Sequence, residues 1–287
     1  MFNTYKAQNF IGTHEDFDLA DIILFGAPFD GTTSFRPGTR FAPNQIRVDS
    51  YGLETYSPYL NLDLENMNIC DIGDIEFPFG NPQKVLDDIS EVTKTVVNHN
   101  KKTVMIGGEH LVSLGAIKIL HEKYPNLKII HFDAHADLRD DYMGEKLSHA
   151  SIMKRVWDLV GDDKIYQFGI RSGTKSEFDW AKAHTTLRKF DTYTLVETID
   201  NFNDTPVYLT IDLDVLDPSI FSGTGTPEPG GITMKEMLDA IVALSQLNIV
   251  GADIVELSPH YDTSGVSTAV ACKIIREVLL ILAQKKL

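Results

Sequence analysis

Residues 127–137 read Leu127-Lys128-Ile129-Ile130-His131-Phe132-Asp133-Ala134-His135-Ala136-Asp137, a short aliphatic run that stops abruptly in a DAHAD motif. The run is apolar without polar alternation, as in a parallel strand buried on both faces. Beyond it, residues i, i+2 and i+4 of an extended backbone share one face, so Asp133, His135 and Asp137 stand side by side. A second run, Pro206–Leu213, ends the same way in Asp212-Leu213-Asp214. Five such groups converging would repel one another or bury charge at several kcal/mol each unless cations neutralise them.

Similar runs recur along the chain. Strands are expected at 21–28, 67–73, 102–108, 127–134, 164–170, 206–214 and 248–257. Helices are expected between them, at about 82–99, 111–123, 149–160, 176–185, 233–246 and 264–284, with Pro82 after Asn81 and Thr233 as start signals. The strand-then-helix order predicts right-handed crossovers and an α/β fold, a parallel sheet covered on both sides. No repeat, low-complexity segment or linker divides the sequence, so residues 1–287 are expected to form one domain. Three loops, 26–45, 138–149 and 217–231, the first and third rich in Gly and Pro, are long enough to suggest function.

Composition narrows the function. A net charge of −15 argues against nucleic acid, whose phosphates call for basic surfaces. It suits a cationic ligand or divalent ions, two of which would bring the total to about −11, though an acidic surface that serves solubility accounts for most of it. Cys70 and Cys272 are isolated, which disfavours a disulfide framework or a thiolate site and points to a reducing cytosol. The first twenty residues lack the pattern of a secretory signal, and no apolar run reaches the ~18 residues of a membrane span. A soluble cytoplasmic protein with no membrane partner is expected.

The candidate residues follow the predicted strands. His110 comes after 102–108; Asp133, His135 and Asp137 after 127–132; Asp212 and Asp214 close 206–214; Glu256 closes 248–257. In open parallel sheets ligands bind outside the carboxyl ends of the strands, so four strands deliver these residues to one edge. Two imidazoles and four carboxylates without a thiolate suit Mn²⁺, with Ni²⁺, Co²⁺, Fe²⁺ and Zn²⁺ admissible. Six ligands exceed the needs of one open catalytic ion. Two ions roughly 3.5–4 Å apart would use them all and could hold a hydroxide between them, which implies metal-assisted hydrolysis. Taken singly, the pieces read otherwise. The aspartates suit turns and caps, His110 could cap a helix, and Glu256 could pair with an arginine. His149, ahead of a helix, reads equally as a proton shuttle or a surface residue. His131 reads as a core or supporting histidine, and His14, His99, His121, His184 and His260 carry no assignment.

With these residues in view, the chain resembles the arginase/agmatinase (ureohydrolase) family, most closely its agmatinase branch. The resemblance runs through nearly the whole length and rests on GGEH (107–110), DAHADLR (133–139), IDLDVLDP (211–218), GTGTPEPGG (223–231) and DIVELSPHYD (253–262). It implies a three-layer α/β/α fold with an eight-stranded parallel sheet, two Mn²⁺ per chain, and homotrimers or homohexamers. His110, Asp133, Asp137 and Asp212 match the ligands of one ion. Asp133, His135, Asp212 and Asp214 match those of the other. His149 matches the proton shuttle and Glu256 the acid that anchors a guanidinium. Asp137 would relay a proton from the attacking hydroxide to the leaving amine. The implied reaction is agmatine plus water to putrescine and urea, a step of polyamine biosynthesis.

The rival substrates are guanidinobutyrate, guanidinopropionate, formimidoylglutamate and guanidine itself. From other classes come a non-catalytic metal-binding relative and a single-ion zinc deacetylase. Three positions depart from the common pattern. Glu109 stands where many relatives have Asp, Ala150-Ser151 follows His149 where many continue Gly-Thr, and the loop after Asp137 is acidic. An acidic loop would repel a carboxylate and welcome a free amine, favouring agmatine over arginine.

Overall fold

The computed structural model describes residues 2–200 and 202–284. Its strands are β1 (Thr4–Tyr5), β2 (Ile22–Ala27), β3 (Tyr56–Ser57), β4 (Leu62–Asp63), β5 (Ile69–Ile75), β6 (Lys102–Gly107), β7 (Lys128–Phe132), β8 (Ile165–Ile170), β9 (Thr186–Lys189), β10 (Pro206–Asp212) and β11 (Asn248–Val255). Apart from the β3–β4 hairpin they form one sheet in the order β1-β5-β2-β6-β11-β10-β7-β8-β9. Eight strands run parallel, as expected. The ninth, β1, adds an antiparallel edge, with Thr4 opposite Ile75 and Tyr5 opposite Asp74. Two residues without an apolar run carry no strand signal; the exposed edge of β5 supplies the partner.

Alternate strand residues reach opposite layers. Val104 and Ile106 of β6, with Ile130 and Phe132 of β7, join the cluster formed with α1 (Ala42–Ser50), α6 (Leu195–Ile199), α7 (Met234–Leu244) and α8 (Val266–Ala283). Met105 and Ile129 join the cluster on the other face, with α2 (Pro82–Asn98), α3 (Ser113–Lys123), α4 (Ile152–Val160) and α5 (Lys175–His184). This is a three-layer α/β/α arrangement, and two-sided burial is why the strands lack polar alternation.

The expected helix starts hold at α2, where the Asn81 side chain accepts the Lys84 N–H, and at α7, where Thr233 and Glu236 form a capping box. Beyond β1 and the β3–β4 hairpin, three more elements were not visible in the sequence. Helix α1 begins inside the span read as loop 26–45, and its buried face includes Arg47, paired with Asp71 and Asp74. An arginine on the inner face breaks the apolar periodicity that marks a helix. Strand β9 and helix α6 are short and partly exposed, and neither sets up a recognisable period.

The central strands β6, β11, β10 and β7 are consecutive in the sheet. They are the four strands whose ends carry the candidate residues, so topology alone gathers those residues at one carboxyl edge.

Candidate metal centre and guanidine-binding cavity

His110 opens a short 3-10 turn after β6. Its Nε2 lies 2.9 Å from Thr210 Oγ1, and Thr210 gives its only hydroxyl proton to Asp253 at 2.6 Å. Thr210 therefore accepts from His110 Nε2–H. The opposite nitrogen, Nδ1, faces three carboxylate oxygens: Asp133 Oδ2 at 3.1 Å, Asp212 Oδ2 at 3.3 Å and Asp137 Oδ2 at 3.4 Å. Ligand atoms ~2.0–2.2 Å from a common ion lie about 3.0–3.5 Å apart. The donor set and its spacing thus fit a divalent cation.

A second cluster shares Asp133. His135 Nδ1 lies 3.0 Å from Asp214 Oδ2 and 3.4 Å from Asp133 Oδ1. Backbone amides aim these carboxylates: His135 N–H donates to Asp133 at 2.5 Å, Asp214 N–H to Asp212 at 2.9 Å, and Ala134 N–H to Asp214 at 3.1 Å. Asp133 lies between the two clusters. Asp212 touches the first directly and is tied to Asp214 of the second through that amide.

His131 also approaches Asp133, its Nε2 2.8 Å from Oδ2. Its Nδ1 accepts from Gln167 Nε2, which also donates to the Ala136 carbonyl. Both ring nitrogens are thereby engaged, and burial keeps the ring below its ordinary pKa and neutral. His131 thus orients Asp133, and it lies close enough to His110 and Asp133 to belong to the first cluster.

The electrostatics show how much charge the site holds. Burial, then the neighbouring Asp133 charge, raises the Asp137 carboxyl to about 7. Burial and the charges of Asp214 and Asp133 hold Asp212 well above the carboxylate range, and burial with Glu109 does the same to Glu256. Burial opposes a charged His110, yet Asp133, Asp137 and Asp212 together hold it well above its usual value. The pocket demands positive charge.

Asp137 and Glu256 both adopt the left-handed region, with φ of 54° and 67°. Such backbone costs non-glycine residues ~1–2 kcal/mol and persists where the surroundings over-determine it. At Asp137 the carbonyl accepts the Met153 and Lys154 amides at the start of α4. At Glu256 the amide donates to the Gly108 carbonyl at 2.9 Å, while the carboxylate accepts from His110 N–H at 2.8 Å.

A cavity of about 240 Å³ opens over these residues, lined among others by His135, Asp137, His149, Asp212 and Glu256. Larger grooves elsewhere do not contain this set. His149 lies at the rim, its Nε2 3.1 Å from Ser34 Oγ, and burial lowers its pKa to about 4. None of the five unassigned histidines lines the cavity.

The acidic loop differs from expectation. Asp140 points outward, 86% exposed at the side chain and 3.5 Å from Lys154, and Asp141 accepts the Gly144 amide. Besides His149, the loop side chains that line the cavity are Arg139 and Tyr142, with the Arg139 guanidinium 4.9 Å from the Tyr142 ring centre. Asp140 and Asp141 therefore do not supply the negative wall inferred from composition. Thr210, Asp253, Gln167, Thr32 and Ser34 were not among the expected site residues. Thr210 and Asp253 had a signal, as polar residues inside otherwise apolar strands.

Fold and site together define a parallel α/β protein whose central strand ends hold a carboxylate–imidazole cluster shaped for divalent cations. The chain belongs to the arginase family of ureohydrolases: the family model described as Arginase family matches residues 20–281. Agmatinases of Bacillus anthracis and Bacillus subtilis are each 49% identical over 280 residues, covering 96% of this chain and 97% of theirs. A crystal structure from Clostridium difficile superposes with a TM-score of 0.92 at 53% identity, covering 93% of this chain and 99% of that one. The agmatine ureohydrolase of Thermoplasma volcanium gives 0.88 at 32% identity, covering 97% and 95%.

Proposed function

We propose that this enzyme hydrolyses agmatine to putrescine and urea, using two divalent cations, Mn²⁺ first among them. The observation that carries the reading is the pair of imidazole–carboxylate clusters sharing Asp133, with the Glu256 carboxylate beside them. His110, Asp133, Asp137 and Asp212 would hold one cation, and Asp133, His135, Asp212 and Asp214 the other. Bound there, the cations supply a water-derived nucleophile at neutral pH and polarise the carbon under attack.

The chain's own residues do the rest. Glu256 accepts hydrogen bonds from the planar guanidinium and fixes its face toward the clusters. Asp137, its Oδ2 3.4 Å from His110 Nδ1 and facing the cavity, takes the nucleophile's proton and passes it to the departing amine. His149 at the rim exchanges protons with solvent. The buried walls exclude bulk water and strengthen each of these interactions.

We propose that residues 1–287 form one domain, a reading supported by the continuous nine-stranded sheet. We also place the enzyme in the cytosol, as a homotrimer or homohexamer. Among the described residues no helix is long and apolar enough to cross a membrane.

A second reading has its own observation. Arg139, paired with Glu177 at 3.7 Å, puts a guanidinium on the cavity wall that could also meet a distal carboxylate, and a guanidinobutyrase of Pseudomonas aeruginosa is 31% identical over 280 residues. Urea release from agmatine, 4-guanidinobutyrate, arginine and guanidine by Mn²⁺-loaded protein separates the readings. A kcat/KM highest for agmatine supports the first, and one highest for 4-guanidinobutyrate replaces it with the second. One bound ion per active chain would overturn the two-cation scheme.

A further inference from the structure

Glu109 is fully buried between Gly108 and His110, and no step above uses it. Its carboxylate accepts three hydrogen bonds from the loop after β2: Thr32 N–H at 2.8 Å, Thr32 Oγ1–H at 2.5 Å and Thr33 Oγ1–H at 3.2 Å. The two backbones are zipped together alongside, Gly108 N–H donating to Ala27 at 2.9 Å and Glu109 N–H to Phe29 at 2.8 Å. A Cβ on Gly108 would sit 1.8 Å from the Phe29 carbonyl oxygen, so only glycine permits this approach.

The same loop grips His149 at two points. Thr32 Oγ1 spends its one proton on Glu109, which leaves its lone pairs to accept the His149 N–H at 3.1 Å. Ser34 Oγ lies 3.1 Å from His149 Nε2. One contact sets the main chain and the other sets the ring.

We propose that Glu109 is a positioning residue acting through Thr32 to fix the His149 imidazole at the cavity rim. The carboxylate lies next in sequence to His110, so one turn after β6 registers both a cation-cluster residue and the rim histidine. The inference rests on the role given to His149 under the proposed function.

The test uses the cation-loaded full-length enzyme and the guanidine it turns over best. Thr32→Val removes the hydroxyl at constant volume, and Thr32→Ser restores it. In Thr32→Val, kcat should fall about 10-fold or more with KM and bound cations unchanged, while Tm drops because the buried Glu109 carboxylate loses a donor. Thr32→Ser should recover to within about threefold of wild type, and Glu109→Gln should repeat the kcat loss, because an amide cannot accept from all three donors. Introducing Thr32→Val into His149→Ala should cost nothing further, as expected for residues acting through one group. Wild-type kcat in Thr32→Val beside an impaired His149→Ala overturns the inference and spares the role of His149. Losses that multiply in the double variant also overturn it. An unimpaired His149→Ala refutes the role of His149 itself, and with it this inference.

Discussion

At the scale of the residue, the site is a set of side chains made costly by burial and useful by the same burial. Asp133, Asp137, Asp212, Asp214 and Glu256 are all under 8% exposed, and the charges of their neighbours help to raise Asp137 and Asp212 above the carboxylate range. Asp133→Ala removes the carboxylate shared by both clusters, so bound metal by mass spectrometry should fall below one ion per chain. Glu256→Gln should keep both ions and raise KM for the guanidine; retained metal in the first variant would break the shared-ligand assignment. His149 carries a pH prediction. Burial lowers its folded pKa to about 4 from an ordinary value near 6.5, so the unfolded chain binds the extra proton between those values. Stability from this group is full above pH 6.5 and declines as pH falls toward 4. The Tm of wild type should therefore drop more steeply than that of His149→Ala between pH 6.5 and 4. Parallel curves would show that the ring is not held neutral.

At the scale of the element, strand ends position the chemistry and loops close over it. The loop 217–231 is tied down by Arg171, whose guanidinium donates to the carbonyls of Asp214, Val215 and Glu228 at 2.8, 3.0 and 2.6 Å among others. The fork thus fixes the loop and the turn that carries Asp214 in one interaction. Arg171→Lys keeps the charge but loses the planar fork. Hydrogen exchange across 217–231 should quicken, and affinity for a divalent cation at the His135, Asp133 and Asp214 cluster should weaken by about 10-fold, the lower range for groups supporting a metal ligand. Unchanged exchange would mean that the loop is held by other contacts, such as Asp217 with the Gly230 and Gly231 amides.

At the scale of the whole molecule, buried ion pairs join parts of the chain that apolar packing leaves loose. Arg47 on α1 binds Asp71 of β5 through Nε at 2.8 Å and Nη2 at 3.0 Å, and reaches Asp74 through Nη1. Asp71 also accepts the Phe10 N–H at 2.9 Å, so one cluster joins the N-terminal segment, α1 and the sheet edge. Arg47→Met would leave two buried carboxylates without their counter-charge, a loss on the order of 3–5 kcal/mol in chemical denaturation. Combining it with Asp71→Asn and Asp74→Asn should recover part of that. A loss under about 1 kcal/mol would show the carboxylates to be hydrated or protonated at little cost.

Seven parallel strands and six helices are legible in the sequence, because two-faced burial writes continuous apolar runs, and the candidate site residues other than His149 fall where those runs stop. Strand β1, strand β9 and helix α1 depend on partners distant in sequence: β1 on Asp74 and Ile75, β9 on β8, and α1 on the acids that neutralise Arg47. The same division runs through the site. Residue types and spacing marked His110, Asp133, His135, Asp137, Asp212, Asp214, His149 and Glu256, since chemistry restricts which side chains can stand at a strand end. Side-chain direction was beyond the sequence. Composition made loop 138–149 acidic, yet its aspartates turn to Lys154 and Gly144 and leave Arg139 and Tyr142 on the cavity wall. Periodicity determined the scaffold and the inventory of charges; three-dimensional packing decided which of those charges meet.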